Sequence, residues 1–213
     1  MKQTSGTAST RTGNSGSAAR TLGTLTMAAG ASIAVGVVVS VVTEWGLLAL
    51  LLGLALLAYV LPQLHLVQSP ADGWPGRYGA LLAAAGAGVI VALGAFFLVW
   101  EAVGTPGEPA WAGVAWLVGF LAFLVGTVLF AVGSAMARMF PTGAPVLVLV
   151  GLVAAVAIDM MTGAFFADDG SIPEWGFYLG VPVFGLGLIW MGWALRTSAL
   201  RSSSVPDRGP IAG

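Results

Sequence analysis

The sequence has no cysteine, a single histidine and very few charged residues. Without cysteine there is no disulfide, no thiolate nucleophile and no cysteine metal site, and one histidine cannot build a histidine metal cluster. Charged residues make up 8% of the chain, whereas proteins on average carry about 25%. Hydrophobic residues make up 58%, and the mean hydropathy is +0.95. This composition excludes an ordinary soluble domain and is typical of an integral membrane protein.

Long stretches without charge divide the chain into membrane spans. A helix needs roughly 20 mainly apolar residues to cross a hydrocarbon core of about 30 Å, and six stretches between charged residues are long enough. They predict an all-α protein whose residues 21–196 form a six-helix transmembrane bundle. Residues 1–20 and 197–213, poor in apolar pattern, are predicted to be disordered tails. The predicted spans lie near residues 22–43, 46–66, 78–101, 112–136, 145–166 and 175–196.

The charges separate by sign once the six spans are drawn. All eight basic residues fall on one side of the membrane and none on the other. The positive-inside rule therefore predicts a protein of the cell membrane with both termini in the cytoplasm. The opposite side holds only acids, which are Glu44, Glu101, Glu108, Asp168, Asp169 and Glu174.

A short motif with tryptophan recurs at the start of alternate spans. Residues 44–46 and 174–176 are the same tripeptide, Glu-Trp-Gly, and residues 108–113 are an expanded form of it. One interpretation is a bundle of three related hairpins in parallel orientation. The other is that any two-span hairpin repeats at this distance and places tryptophan at the membrane interface.

Small residues recur at helical spacing in the last three spans. Such stripes let two membrane helices approach closely, which is how helices associate in lipid. The residues predicted to form helix-packing faces are Gly119, Gly126 and Gly133 in the fourth span, Gly151, Ala155 and Gly163 in the fifth, and Gly176 and Gly180 in the sixth.

Asp159 is the one charge-capable residue well inside a predicted span. A charged aspartate near the bilayer centre costs roughly 2.5 to 3.5 kcal/mol, so it needs a partner, a proton or a cation. Thr162 and Glu101 are the candidate neighbours in an intramembrane proton or cation site. The alternative is a structural hydrogen bond between helices, for which an asparagine would replace Asp159 at little cost. His65, at the inner end of the second span, is interpreted as an interfacial residue.

The sequence contains no catalytic motif, since P-loop, HExxH and GxSxG patterns are all missing. The scattered basic residues form no patch for nucleic acid. We therefore expect no enzyme activity, no cofactor, no metal and no nucleic-acid partner. The expected role is a non-enzymatic structural, accessory or assembly bundle in the lipid bilayer, with a membrane-protein partner or a second copy. The alternative is a small proton- or cation-coupled transporter or channel that uses Asp159.

One segment near the end of the fourth span carries a resemblance. Residues 126–141 read Gly126-x-x-Leu129-Phe130-x-x-Gly133-x-x-x-x-Arg138-x-x-Pro141. This pattern resembles one found in small uncharacterised prokaryotic multi-pass membrane proteins. The resemblance implies a multi-pass membrane protein and no particular activity.

Overall fold

The computed structural model describes residues 9–43, 45–69, 71–104, 107, 109–163 and 174–203. Every regular element in this part of the chain is an α-helix, and all six helices are long and apolar enough to cross a membrane. The prediction of an all-α six-span bundle is therefore confirmed. The helices are α1 (Ser9–Ser40), α2 (Trp45–Gln68), α3 (Gly73–Ala102), α4 (Ala110–Ala137), α5 (Gly143–Thr162) and α6 (Trp175–Ser203).

The first and last helices extend beyond their predicted spans. Helix α1 begins at Ser9 and α6 ends at Ser203. Residues 9–20 and 197–203 are therefore part of these helices in the structure, whereas the sequence places them in the predicted tails. The physical reason is that lengthening an existing helix adds one hydrogen bond per residue without a new nucleation cost. The rest of both predicted tails lies outside the described residues.

Helix α5 ends earlier than its predicted span, at Thr162. Gly163 follows with a φ of +81° and donates its N–H to the carbonyl oxygen of Met160. Glycine adopts this left-handed conformation without the steric cost of a side chain, and it commonly ends helices in this way. The structure thus places Gly163 at the end of α5 rather than within its packing face.

The six helices form a ring in chain order, with neighbours antiparallel and α6 closing against α1. The α4–α5 contact is sparse, whereas α1–α6 is extensive and uses glycine on both sides. A Cβ added to Gly30 would lie 2.5 Å from the carbonyl oxygen of Gly185, and one added to Gly185 would lie 2.6 Å from that of Gly30. The contact of α1 with α6 closes the six helices into one bundle, and the interpretation as three related hairpins in parallel orientation stays a prediction.

Aromatic and aliphatic side chains fill the middle of the bundle. The ring of Phe123 on α4 meets that of Phe184 on α6 edge to face, with centroids 6.0 Å apart. Outside this core, a groove of about 400 Å³ follows the sparse α4–α5 contact, and Val128, Val156 and Met160 are among the residues that line it. The interior at the level of the two rings is therefore packed, and the looser contact lies at the side of the bundle.

The two ends of the bundle differ in charge. We call the end where α1 begins and α6 finishes the basic face, and the other end the acidic face. The acidic face carries the exposed Glu101 and Glu174, and the other predicted acids of that side lie outside the described residues. Among the side chains whose exposure the structure describes, the basic face carries the exposed Arg20, Arg77, Arg138 and Arg196.

Candidate functional site

Asp159 lies one turn before the end of α5, on the side that packs against α6, and is only 8% exposed. Its Oδ1 accepts a hydrogen bond from the N–H of Gly176 at 2.7 Å, and its Oδ2 accepts one from the N–H of Phe177 at 2.9 Å. The first N–H groups of a helix have no partner within that helix, and the helix dipole is positive there. The carboxylate of Asp159 therefore joins the end of α5 to the start of α6.

The predicted small-residue stripes of α5 and α6 pack on each other and make this contact possible. A Cβ added to Gly180 would overlap the backbone nitrogen of Ala155, and one added to Gly151 would overlap the backbone nitrogen of Phe184. At Gly176 an added Cβ would overlap the carbonyl oxygen of Ala155. The two backbones are therefore close enough for N–H groups of α6 to reach a side chain as short as aspartate.

The structure does not gather the three residues of the predicted proton or cation site. The hydroxyl of Thr162 donates to the backbone carbonyls of Ile158 at 3.0 Å and of Asp159 at 3.3 Å, within its own helix and away from the Asp159 carboxylate. Glu101 is exposed at the end of α3, which packs mainly on α2 and α4. Asp159 is thus held by the backbone of α6, and neither Thr162 nor Glu101 shares that contact.

The predicted stripe on α4 faces α3. A Cβ added to Gly126 would overlap the backbone nitrogen of Ala83, and one added to Gly133 would overlap the backbone of Gly76. Gly119 continues the same buried side towards the acidic face. Backbone contact along this length makes α3 and α4 a closely packed pair.

A second polar cluster, which sequence reasoning missed, lies at the basic face between α2 and α3. The Nδ1 atom of His65 lies 2.6 Å from Oδ2 of Asp72. The Asp72 side chain is 1% exposed and that of His65 is 15% exposed. A carboxylate this deeply buried needs such a partner. The sequence feature that could have indicated this pair is a histidine and an aspartate seven residues apart on the two sides of a short loop.

Four buried side chains in the basic half of the bundle hold polar atoms without a hydrogen-bond partner among the described residues. At the end of α2 and the start of α3 these are both amide atoms of Gln68 and Oδ1 of Asp72. On α4 they are the hydroxyls of Thr127 and Ser134. Buried polar groups usually have a protein or water partner.

A cavity of about 600 Å³ opens beside the His65–Asp72 pair. Its lining combines charged, aromatic and aliphatic side chains from the end of α2 and the start of α3. Two of the lining residues contact each other, since the guanidinium carbon of Arg77 lies over the ring of Tyr78, 5.9 Å from its centroid. The side chains that line it are those of His65, Leu66, Ser69, Asp72, Trp74, Arg77, Tyr78 and Leu81.

Six apolar helices packed side by side, with the arginines of the described residues at one end, define a multi-pass membrane protein. Within the described residues, no three His, Asp or Glu side chains gather as a candidate metal site. Comparison of the chain with known protein families, with curated proteins and with solved structures gives no match. The function must therefore follow from the packing and the surface of this chain.

Proposed function

We propose that this protein is a non-enzymatic assembly component of the membrane that associates with a second copy through one side of α3. The single observation that supports this is an exposed stripe of small residues, which we call the α3 seam: Ala85, Gly88, Ala92 and Ala95. Spacings of three and four residues place them along one side of the helix. A Cβ added to Gly88 would meet no atom within 4 Å.

The internal contacts of the bundle show what such a stripe does in this protein. On its other side, α3 uses Gly79 and Gly86 to meet the backbone of Phe130 and Phe123 on α4. In lipid there is no hydrophobic force between helices, so small residues stabilise contacts through close packing. The α3 seam offers the same surface outside the bundle, and a stripe of this kind can pair with its own copy about a two-fold axis.

The contacts of Asp159 favour this proposal over a proton- or cation-coupled transporter or channel. Both carboxylate oxygens accept hydrogen bonds from the backbone of α6. The rings of Phe123 and Phe184 meet in the middle of the bundle. A carboxylate engaged in this way supports a structural role for the one acid on which the transport hypothesis depends.

Single cysteines test the α3 seam without background, because the chain has none of its own. We expect Gly88→Cys and Ala92→Cys to form disulfide-linked dimers on mild oxidation of native membranes. Close packing of two seams would bring facing Cα atoms to the separation of about 4.4 to 6.8 Å that a disulfide needs. Gel electrophoresis without reductant measures the dimer fraction.

The matched control is Gly113→Cys on α4, where an added Cβ also meets no atom within 4 Å. This variant should stay monomeric. Dimers at all three positions would indicate random collision. Correctly inserted protein that gives no dimer at Gly88 or Ala92 would reject association of two copies through the α3 seam.

We further propose that the protein lies in the cell membrane with its basic face in the cytoplasm, as the separation of charge supports. Alkaline phosphatase is active only outside the cytoplasm. Fused after Pro106 or Gly170 it should be active, and fused after Gly73, Thr142 or Gly213 it should be inactive. Activity of the Gly73 fusion would reject this orientation.

A further inference from the structure

The cavity between α2 and α3 at the basic face is lined by polar side chains on one part of its wall and by aliphatic side chains on another. Arg77 and Ser69 lie in its lining together with the aliphatic Leu66 and Leu81. Pockets with basic side chains between membrane helices are suited to the headgroups of anionic lipids. We propose that this cavity binds the phosphate of an anionic membrane phospholipid, with Arg77 as its charge partner.

The positive charge of Arg77 remains available to an external anion. Among the described residues no carboxylate forms an ion pair with its guanidinium. Asp72, the acid in the same lining, is instead paired with His65 at 2.6 Å. A guanidinium presents parallel N–H donors that match two phosphate oxygens. The pairing of Asp72 with His65 thus leaves Arg77 as the anion-binding group of the cavity.

The walls of the cavity are held by close backbone packing. Asp72 occupies the N-cap position of α3, and a Cβ added to Gly76 would overlap its side chain. On the far side, a Cβ added to Gly133 of α4 would lie 3.1 Å from the carbonyl oxygen of Asp72. The His65–Asp72 pair therefore positions the start of α3, and with it Arg77, against the end of α2.

The remaining lining residues favour a lipid over a water-soluble phosphate compound. Trp74 and Tyr78 are exposed, and their rings prefer the headgroup level of a bilayer. Leu66, 65% exposed, and Leu81 present aliphatic surface beside the polar groups. An acyl chain would cover both leucines, whereas a soluble phosphate ester would leave them uncovered. A phospholipid would contact the polar lining with its phosphate and the aliphatic lining with an acyl chain.

Thermal unfolding in nanodiscs of defined lipid tests the proposal. For the wild type, we expect the Tm to rise by several degrees when phosphatidylglycerol is added to phosphatidylcholine, because a ligand that binds the folded state stabilises it. Arg77→Gln should lose most of this rise. Arg77→Lys should keep part of it, since lysine retains the charge but lacks the planar fork. In phosphatidylcholine alone all three proteins should have similar Tm values, since Arg77 is exposed.

The matched control is Arg196→Gln, which removes the same charge from the basic face at a position outside the cavity lining. It should keep the full rise. Equal losses in Arg77→Gln and Arg196→Gln, or no rise in the wild type, would overturn the site. An equal, Arg77-dependent rise with inorganic phosphate in phosphatidylcholine nanodiscs would overturn the assignment to a lipid headgroup. None of these outcomes depends on whether two copies associate through the α3 seam.

Discussion

Replacing Gly126 with leucine should prevent α3 and α4 from packing closely and lower the free energy of unfolding by about 3 kcal/mol. An added Cβ at this position would overlap the backbone nitrogen of Ala83. The obstacle is backbone, so a change of rotamer cannot relieve it, and the two helices must separate. Separation would also remove the contacts that Gly133 and Gly79 make along the same interface.

Gly113→Leu is the matched control for Gly126→Leu, because it introduces the same side chain into the same helix. Nothing lies within 4 Å of an added Cβ at Gly113, so the change in stability should stay below about 0.5 kcal/mol. Reversible unfolding in detergent micelles, followed by circular dichroism, measures both variants. Equal stability of the two would contradict the close backbone contact between α3 and α4.

Replacing Asp159 with leucine should cost about 3 kcal/mol or more. The substitution removes two hydrogen bonds to a charged acceptor, each worth about 1.5 to 3 kcal/mol, and leaves the N–H groups of Gly176 and Phe177 without that partner. Asp159→Asn should lose roughly half as much, because the amide keeps one acceptor oxygen but turns a donor towards the second N–H. The two contacts with the backbone of α6 therefore give a larger expected cost for asparagine than the little cost predicted from the sequence.

Thr162→Val is the control for the Asp159 variants, since the Thr162 hydroxyl bonds within its own helix and its loss should cost under about 0.5 kcal/mol. Thermal unfolding is measured in sodium chloride and again in choline chloride. We expect the wild type to be equally stable in both. Stabilisation of the wild type by Na⁺ that disappears in Asp159→Asn would show a cation site and reject the structural role.

Helix ends were harder to predict from the sequence than helix number. The stretches without charged residues locate the part of each helix that lies in hydrocarbon. A helix can continue beyond such a stretch, as α1 does from Ser9. A helix can also end before its predicted span does, as α5 does at Gly163, where the backbone adopts a positive φ. Apolar length therefore predicts a membrane span and does not predict where the backbone hydrogen bonding ends.

The two polar contacts illustrate different degrees of predictability. That Asp159 required a partner followed from the cost of a buried charge. That the partner is the backbone of α6 did not, because N–H groups are present at the start of every helix and carry no sequence signal. The pairing of His65 with Asp72 depends on the path of the loop between α2 and α3, which places two ordinary interfacial residues 2.6 Å apart.

The sequence by itself determined that six helices form, because backbone groups in lipid must bond within a helix and each uncharged stretch is long enough to span. It also determined which small residues share a side of a helix, since that follows from 3.6 residues per turn. Only the tertiary structure decided which sides meet, such as Gly30 of α1 with Gly185 of α6. Apolar helices in lipid associate through the fit of their surfaces. Helix α3 has small residues on two sides, and its own sequence does not indicate which of these sides packs against which neighbour.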